Sequence, residues 1–391
     1  MSQNGIRKIC VVTGNRADYS RCRSVMRAIR DHAGLQLQTV VTGAHLLPRF
    51  GRTVDEVRAD GFEPDELVYQ IVEGETPTTM ARSIGLGICD LSTVFERLRP
   101  DVVMVPTDRF ETLSAAVAAA AMNIRVAHIQ GGEVSGSVDE LVRHAITKLS
   151  HLHFPATERA RQRIIAMGED PEWVFTVGCP GTDVVLQTPT WDRAQTFESL
   201  QPLWKVGQSF SPEQPFLLLL QHPVTTQFED QPRQMQLTLE AVFQIGLNVI
   251  SLWPNIDAGS EQMVDTIRAF VREHGAMQWF AAFRHLSAAQ FMNVMRHAAC
   301  MVGNSSAGIR ETCYLGTPVV DIGIRQQHRE RGQNVMTVPN QTNDIYEAIR
   351  EQVRHGPYDI NPLYGDGRAG KLIAEILATC QLPSIQKILR Y

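Results

Sequence analysis

Short aliphatic and β-branched runs, each closing on a polar cluster and followed by an amphipathic stretch, recur along almost the whole chain. This alternation constrains the fold more than any other feature. IRKICVVTG reads as a strand, YSRCRSVMRAIRDH as a helix and LQLQTVVTG as a second strand. DVVMVPTD, RVAHIQGG, HLHFPAT and VFTVG continue the strand series, with helices expected in TLSAAVAAAAM, ELVRHAITKLS and RARQRIIAMG. Between 188 and 211 the texture changes to a proline-bearing stretch of little periodicity. A second series follows, with strands in FLLLLQH, NVISLWPN, CMVGNSS and PVVDIG. Helices are expected in QLTLEAVFQIG, EQMVDTIRAFVREH, SAAQFMNVMRHA, AGIRETCYLG and finally LIAEILATC. Such order predicts an α/β fold of parallel sheets covered by helices, in two domains, 1–187 and 188–391, the second carrying the terminal helix.

Bulk properties narrow the function. The 391 residues are 43% hydrophobic and 20% charged, with a net charge of −5, so no general basic field exists to attract nucleic acid or a membrane surface. Seven scattered cysteines without a CxxC pair argue against a disulfide framework and for a reducing cytoplasm. MSQNGIRK enters the first strand with no long apolar leader, and SAAVAAAAMNI is too short to span a bilayer, so it is expected as a core helix.

Polar clusters sit where strands end. TGNRADYS, TDRFE, QGGEVSGSVDE, QHPVTT, PNIDAGS and GNSSAGIRE place Arg16, Asp108, Arg109, Glu133, His222, Asp257 and Ser305 at six such edges. Any one cluster can be capping chemistry, with Ser20, Asp139 and Ser306 as N-caps. Together they predict one site facing the carboxyl ends of the strands. In GNSSAGIRE the start of an expected helix offers free N–H groups, Ser305 and Ser306 add hydroxyls, and Arg310 or Arg325 adds charge for a phosphate. GK[ST], GxGxxG and the serine-hydrolase elbow are missing, so a nucleoside diphosphate fits better than ATP, nicotinamide or acyl-enzyme chemistry. His128, His144, His151 and His153 lack metal-motif spacing and read as hydrogen-bonded or solvated. Met292 and Met295 read as core, and Glu96, Arg97 and Arg99 as a solvated helix end.

The blocks TGNRADYSR, TDRFETLSAAVAAAAMNI, HIQGGEVSGSVDELVRHAITKLSH, GCPGTD, LQHPVTT, PNIDAGS, GNSSAGIRE and LYGDG together resemble the hydrolysing UDP-N-acetylglucosamine 2-epimerases of sialic acid biosynthesis, including the epimerase half of the bifunctional animal enzyme. The similarity runs in order from Ile6 to Cys380. It implies two Rossmann-like domains facing a cleft, as in GT-B glycosyltransferases. The implied reaction takes UDP-GlcNAc and water to N-acetylmannosamine and UDP through a glycal, with no redox cofactor and no metal. By the same resemblance Arg16, His222, Ser305 and Ser306 would hold the diphosphate, Glu311 the ribose, and Arg325 would lie near the nucleotide. Asn255 and Asp257 would line the site, Asp108 and Asp139 would be catalytic carboxylates, and the protein would be a homodimer or homotetramer.

At position 130 the chain departs from that pattern, carrying Gln130 where these enzymes have Glu. An amide keeps the shape but cannot exchange a proton near neutral pH. Either Glu133 or a water takes the proton, or the residue was exchanged to trap a ligand, or the substrate is a related UDP-diacetamido sugar. A further alternative is a nucleotide-sugar binding or regulatory protein with little turnover. The resemblance places a feedback-inhibition region of the animal enzyme near Asp265 and Arg268, and Asp265 replaces an arginine there.

Overall fold

The computed structural model describes residues 5–74, 76–106, 108–136, 139–204, 210–254, 259–275 and 278–390, with the side chains of Ala17, Asp139 and Thr225 outside the description. Two compact units make up the chain. The first contains 1–133, 139–187 and 364–391, the second 134–138 and 188–363.

In the first unit six strands are described: β1 (Arg7–Thr13), β2 (Leu35–Thr42), β3 (Glu66–Val68), β4 (Val102–Val105), β5 (Arg125–Ile129) and β6 (Leu152–Phe154). Their order is β3-β2-β1-β4-β5-β6, and every pairing is parallel. Helices α1 (Arg16–Arg30), α2 (Val54–Ala59), α3 (Pro77–Leu98), α4 (Phe110–Ala121), α5 (Asp139–Leu149), α6 (Glu158–Ala166) and α7 (Pro180–Gln187) form its crossovers and flanks.

The second unit repeats the scheme with β7 (Phe216–Leu220), β8 (Asn248–Leu252), β9 (Phe280–Phe283), β10 (Cys300–Gly303), β11 (Val319–Ile322) and β12 (Val335–Val338). Its order, β12-β11-β10-β7-β8-β9, is the first order read from the other edge, again with parallel pairs throughout. Around it lie α8 (Arg193–Leu200), α9 (Gln231–Ile245), α10 (Ser260–Glu273), α11 (Ala288–His297), α12 (Thr312–Leu315) and α13 (Thr342–His355), while α14 (Ala369–Thr379) returns to the first unit.

Burial follows from the pleat. Successive side chains of a strand point to opposite faces. In β1, Ile9 and Val11 enter the cluster that holds Cys22, Val25, Met26 and Ile29 of α1. Cys10 and Val12 enter the other, with Leu91, Val94 and Phe95 of α3 and Ala115, Ala116, Ala118 and Ala119 of α4. Each large aliphatic side chain so buried contributes about 1.5–3 kcal/mol. The alanine-rich α4 is therefore a core helix, its small side chains allowing close packing on α3 and the sheet.

Several expectations need correcting. VFTVG is not a strand among the described elements: Val174 makes one isolated bridge to His153, and Val177 N–H donates to Pro155, whose ring has no N–H to return. β3, β9 and β12, all at sheet edges, were not read, because ELV, FAAF and VMTV are not unbroken β-branched runs. AGIRETCYLG is a single turn over Ser306–Gly308 followed by the four-residue α12, so no long helix starts at Ser305. Ser20 lies inside α1; the cap is Asn15, whose side chain accepts from Asp18 N–H. The last 28 residues, expected with the second domain, pack on the first, because Ile373, Ala374 and Leu377 of α14 complete the core under α1.

Beyond α14 the chain is tied across the first unit. Arg125 Nε donates to Pro383 O (2.7 Å), and Arg7 donates to the carbonyl oxygens of Leu377 and Cys380. Lys387 Nζ reaches Glu169 Oε2 at 2.6 Å, where Glu169 also meets Lys148 (2.5 Å) and His153 (3.1 Å). Burial alone would raise the Glu169 carboxyl, but the hydrogen bonds from His153, Lys148 and Lys387 outweigh it and bring it down to about 2. A carboxyl depressed by folding contributes stability above its ordinary range, and that contribution is lost as pH falls through the folded value. Glu169→Gln is expected to cost about 3 kcal/mol at pH 7, with the deficit shrinking as pH falls toward 2. Urea unfolding at pH 7 and at pH 3 checks this; equal wild-type and variant midpoints at pH 7 would refute it.

Candidate functional site

The loops leaving β1, β4 and β5 carry the polar groups of the first unit. After β1, Asn15 Nδ2 and Gly14 N–H donate to Asp18 Oδ2 (3.0 and 3.2 Å), fixing the turn that opens α1. Arg16 occupies the first helical position and is half-buried. Desolvation lowers its guanidinium from its ordinary value, against a raising influence of Glu56. Across the β1–β4 neighbourhood Asn15 Nδ2 also reaches Glu111 Oε1 (3.4 Å), and Arg109 Nε stands 3.6 Å from Glu111 Oε2. Arg109 and Glu111 are both buried.

Asp108, from the loop after β4, and Glu133, from the loop after β5, meet on Arg143 of α5. Arg143 Nε donates to Asp108 Oδ2 (3.0 Å), Nη2 makes a second bond to the same oxygen, and Nη1 donates to Glu133 O (3.0 Å) and Glu140 Oε2 (2.5 Å). Glu140 Oε1 in turn pairs with His144 Nε2 at 2.8 Å. Burial alone would lower the Arg143 guanidinium; the charges of Asp108, Glu133 and Glu140 outweigh it and raise it. Gln130 is buried at the end of β5 with φ of 65°, a left-handed turn uncommon outside glycine. Its N–H donates to Phe154 O (2.9 Å), and its amide nitrogen donates to Cys179 Sγ at the start of α7. The side chain of Asp139 lies outside the described residues.

In the second unit Asn304, directly after β10, organises the equivalent edge. Its Oδ1 accepts from His222 N–H (2.7 Å) and its Nδ2 donates to His222 O (2.9 Å), holding the loop after β7. Its own carbonyl accepts from Arg325 Nη1 (3.2 Å) and Gln326 Nε2 (2.8 Å), from the loop after β11. Ser305 Oγ accepts from Ala307 N–H (3.3 Å), capping the turn that holds Ser306. Glu311 is buried where α12 begins. Within this unit His222, Ser305 and Arg325 are thus gathered on one edge; Asn255 and Asp257 lie outside the described residues.

Sequence reasoning missed Glu111, Arg143, Asn304 and Gln326. One signal was present for Arg143: it shares the buried stripe of α5 with Ile146 and Thr147, while Leu141 is 71% exposed. A charge on the core-facing side of an amphipathic helix marks a buried polar partner. The four histidines all have hydrogen-bond partners: His128 with Thr147, His144 with Glu140, His151 with Ile385 O and His153 with Glu169. Met292 and Met295 are buried.

Two six-stranded parallel sheets in this order define a two-domain α/β protein of the GT-B kind. Residues 27–378 match the family described as UDP-N-acetylglucosamine 2-epimerase. The hydrolysing UDP-N,N'-diacetylbacillosamine 2-epimerase of Legionella pneumophila is 37% identical over 379 residues, 97% of each chain. A UDP-N-acetylglucosamine 2-epimerase of Neisseria meningitidis serogroup B is 32% identical over 364 residues, 93% of this chain and 92% of that one. The crystal structure of the Methanocaldococcus jannaschii UDP-GlcNAc 2-epimerase with UDP-GlcNAc and UDP shares the fold, with a TM-score of 0.76 at 18% identity, covering 95% of this chain and 99% of that one. The chain belongs to the UDP-N-acetylglucosamine 2-epimerase family.

Gly303 tests the Asn304 arrangement. Its φ is 134°, and a Cβ there would stand 2.1 Å from Leu220 O, so only glycine lets β10 approach β7 before Asn304. Gly303→Ala is expected to destabilise the protein by about 2–3 kcal/mol in denaturant unfolding. A midpoint equal to wild type would show that the close approach is dispensable.

Proposed function

We propose that the chain is a hydrolysing 2-epimerase of a UDP-linked 2-acetamido sugar. The observation carrying the reading is that Asp108 and the Glu133 loop, at neighbouring strand ends, converge on one buried arginine in a member of this family. Rupture of the sugar C1–O bond releases UDP and leaves positive charge at C1 and the ring oxygen. Loss of the C2 proton to a carboxylate then gives the 2-acetamido glycal. Water adds its hydroxyl to C1, and a proton returns to C2 on the opposite face, so the products are UDP and the free 2-epimeric sugar. The C2–H bond is weakly acidic, so bond rupture at C1 runs ahead and charge on the departing diphosphate must be absorbed. Arg16, Arg109, His222, Ser305, Ser306 and Arg325 are assigned to that task, and Glu311 to the ribose. Asn255 and Asp257 are assigned to the sugar or nucleotide.

Asp108 is assigned as a proton-transfer carboxylate, with Asp139. Gln130 cannot exchange a proton, and Glu133, buried three residues further on, takes its place. For the sugar, similarity along 97% of both chains to the Legionella enzyme supports a UDP-2,4-diacetamido substrate. The Neisseria relative supports UDP-GlcNAc, which would yield N-acetylmannosamine for a sialic acid-type route. Cytoplasmic action and assembly as a homodimer or homotetramer belong to the same reading; the seven free cysteines suit a reducing compartment.

A proton NMR time course in deuterated buffer, run with each UDP sugar, is expected to show UDP release and deuterium at C2 of the free epimer from one of them. Release from neither, with tight binding by calorimetry, would leave a binding protein instead. Glu133→Gln is expected to lower kcat by about 10²-fold, since the proton role passes to Glu133 when position 130 is an amide. An unchanged kcat would take that role away from Glu133.

A further inference from the structure

Arg143 is 1% exposed, and its guanidinium is spent on three different segments: Asp108 after β4, the Glu133 carbonyl after β5, and Glu140 on its own helix. A lysine at this position could not reproduce the set, because an ammonium is a point donor and a guanidinium a planar fork. Here two donors of the fork converge on a single oxygen of Asp108, whose side chain is 13% exposed. Opposite charge in direct contact favours the ionised carboxyl, and hydrogen bonds to the charged form favour it further. Among the described residues the charged groups facing Arg143 are Asp108, Glu133 and Glu140, with His144 on the far oxygen of Glu140.

We infer that Arg143 is a positioning residue that keeps Asp108 ionised as a proton acceptor and sets the height of the Glu133 loop against it. This rests on the reading of the chain as a 2-epimerase and adds a division of labour to it. Asp108 is the base that receives the C2 proton, so returning a proton to C2 on the opposite face falls to another carboxyl. Arg143 itself touches no reacting atom.

Two substitutions move the acid limb of the pH–kcat/KM profile in opposite directions. Arg143→Met removes the cation, so Asp108 should protonate more readily. The acid limb then moves to higher pH, and kcat at neutral pH falls about 10²-fold or more. Arg143→Lys keeps the charge but loses the fork, and should fall between Arg143→Met and wild type in both respects. Glu140→Gln removes a competing anion and should move the limb to lower pH. UDP affinity by calorimetry should stay within about threefold in all three, which separates the effect from misfolding. A kcat loss with an unmoved acid limb would reduce Arg143 to a structural role and overturn the inference, as would Arg143→Met with wild-type activity. Independently of turnover, carbon NMR of the aspartate carboxyls, with Asp108→Asn to assign the signal, should show Asp108 titrating at higher pH in Arg143→Lys than in wild type. If the wild type releases no UDP from either sugar, the epimerase reading fails while this titration still decides the role of Arg143; identical titration in the two proteins would refute it.

Discussion

All strand pairs in both sheets run parallel, and the rest of the molecule depends on that constraint. Parallel neighbours cannot be joined by a tight turn, so each strand must hand over to a crossover, and the loops that leave the strands collect along one edge of the sheet. The order β3-β2-β1-β4-β5-β6 reverses direction between β1 and β4, so the crossovers diverge there and their first loops stand side by side. Arg16 and Asp108 leave from those two strands. β7 and β10 are the corresponding pair in the second unit, and His222 and Asn304 leave from them.

At each edge one buried side chain binds neighbouring loops together, and the two differ in chemistry. Arg143 is a cation held by two carboxylates and a backbone carbonyl; Asn304 is neutral, its side-chain amide bonding the backbone of His222 and its own backbone carbonyl accepting from Arg325 and Gln326. Taking a charge out of water costs several kcal/mol unless partners replace the solvent, and Arg143 meets that condition with three. A charged hub controls the protonation of what it touches. A neutral hub fixes geometry without altering the field felt by an anion, which suits a loop that presents Ser305 and Arg325.

The strand-rich parts of the fold were legible because a parallel strand buried on both faces must be a nearly unbroken apolar run. FLLLL and VVMV have few alternatives. The strands β3, β9 and β12 carried no comparable signal, since each lies at a sheet edge with one flank unpaired, and ELV, FAAF and VMTV are not unbroken β-branched runs. For α14 the amphipathic stripe was readable, but a stripe says only that some core exists; Ile373 and Leu377 fill a gap under α1 nearly 350 residues earlier in the chain. GNSSAGIRE shows the opposite failure. Its residue types suit a helix start, yet the backbone turns once and breaks before α12.

By itself the sequence determined the α/β alternation, the polar clusters at the strand ends and the amide at position 130, because each of these is a property of residues close together in the chain. Which clusters share an edge, which core receives the last helix, and which residue holds Asp108 were decided only in three dimensions. Those outcomes depend on contacts between distant segments. Arg143 is the clearest instance: the helix itself supplies Glu140 three positions away, but only the packing of α5 against the sheet brings Glu133 and Asp108, ten and thirty-five positions away, within reach of the same guanidinium.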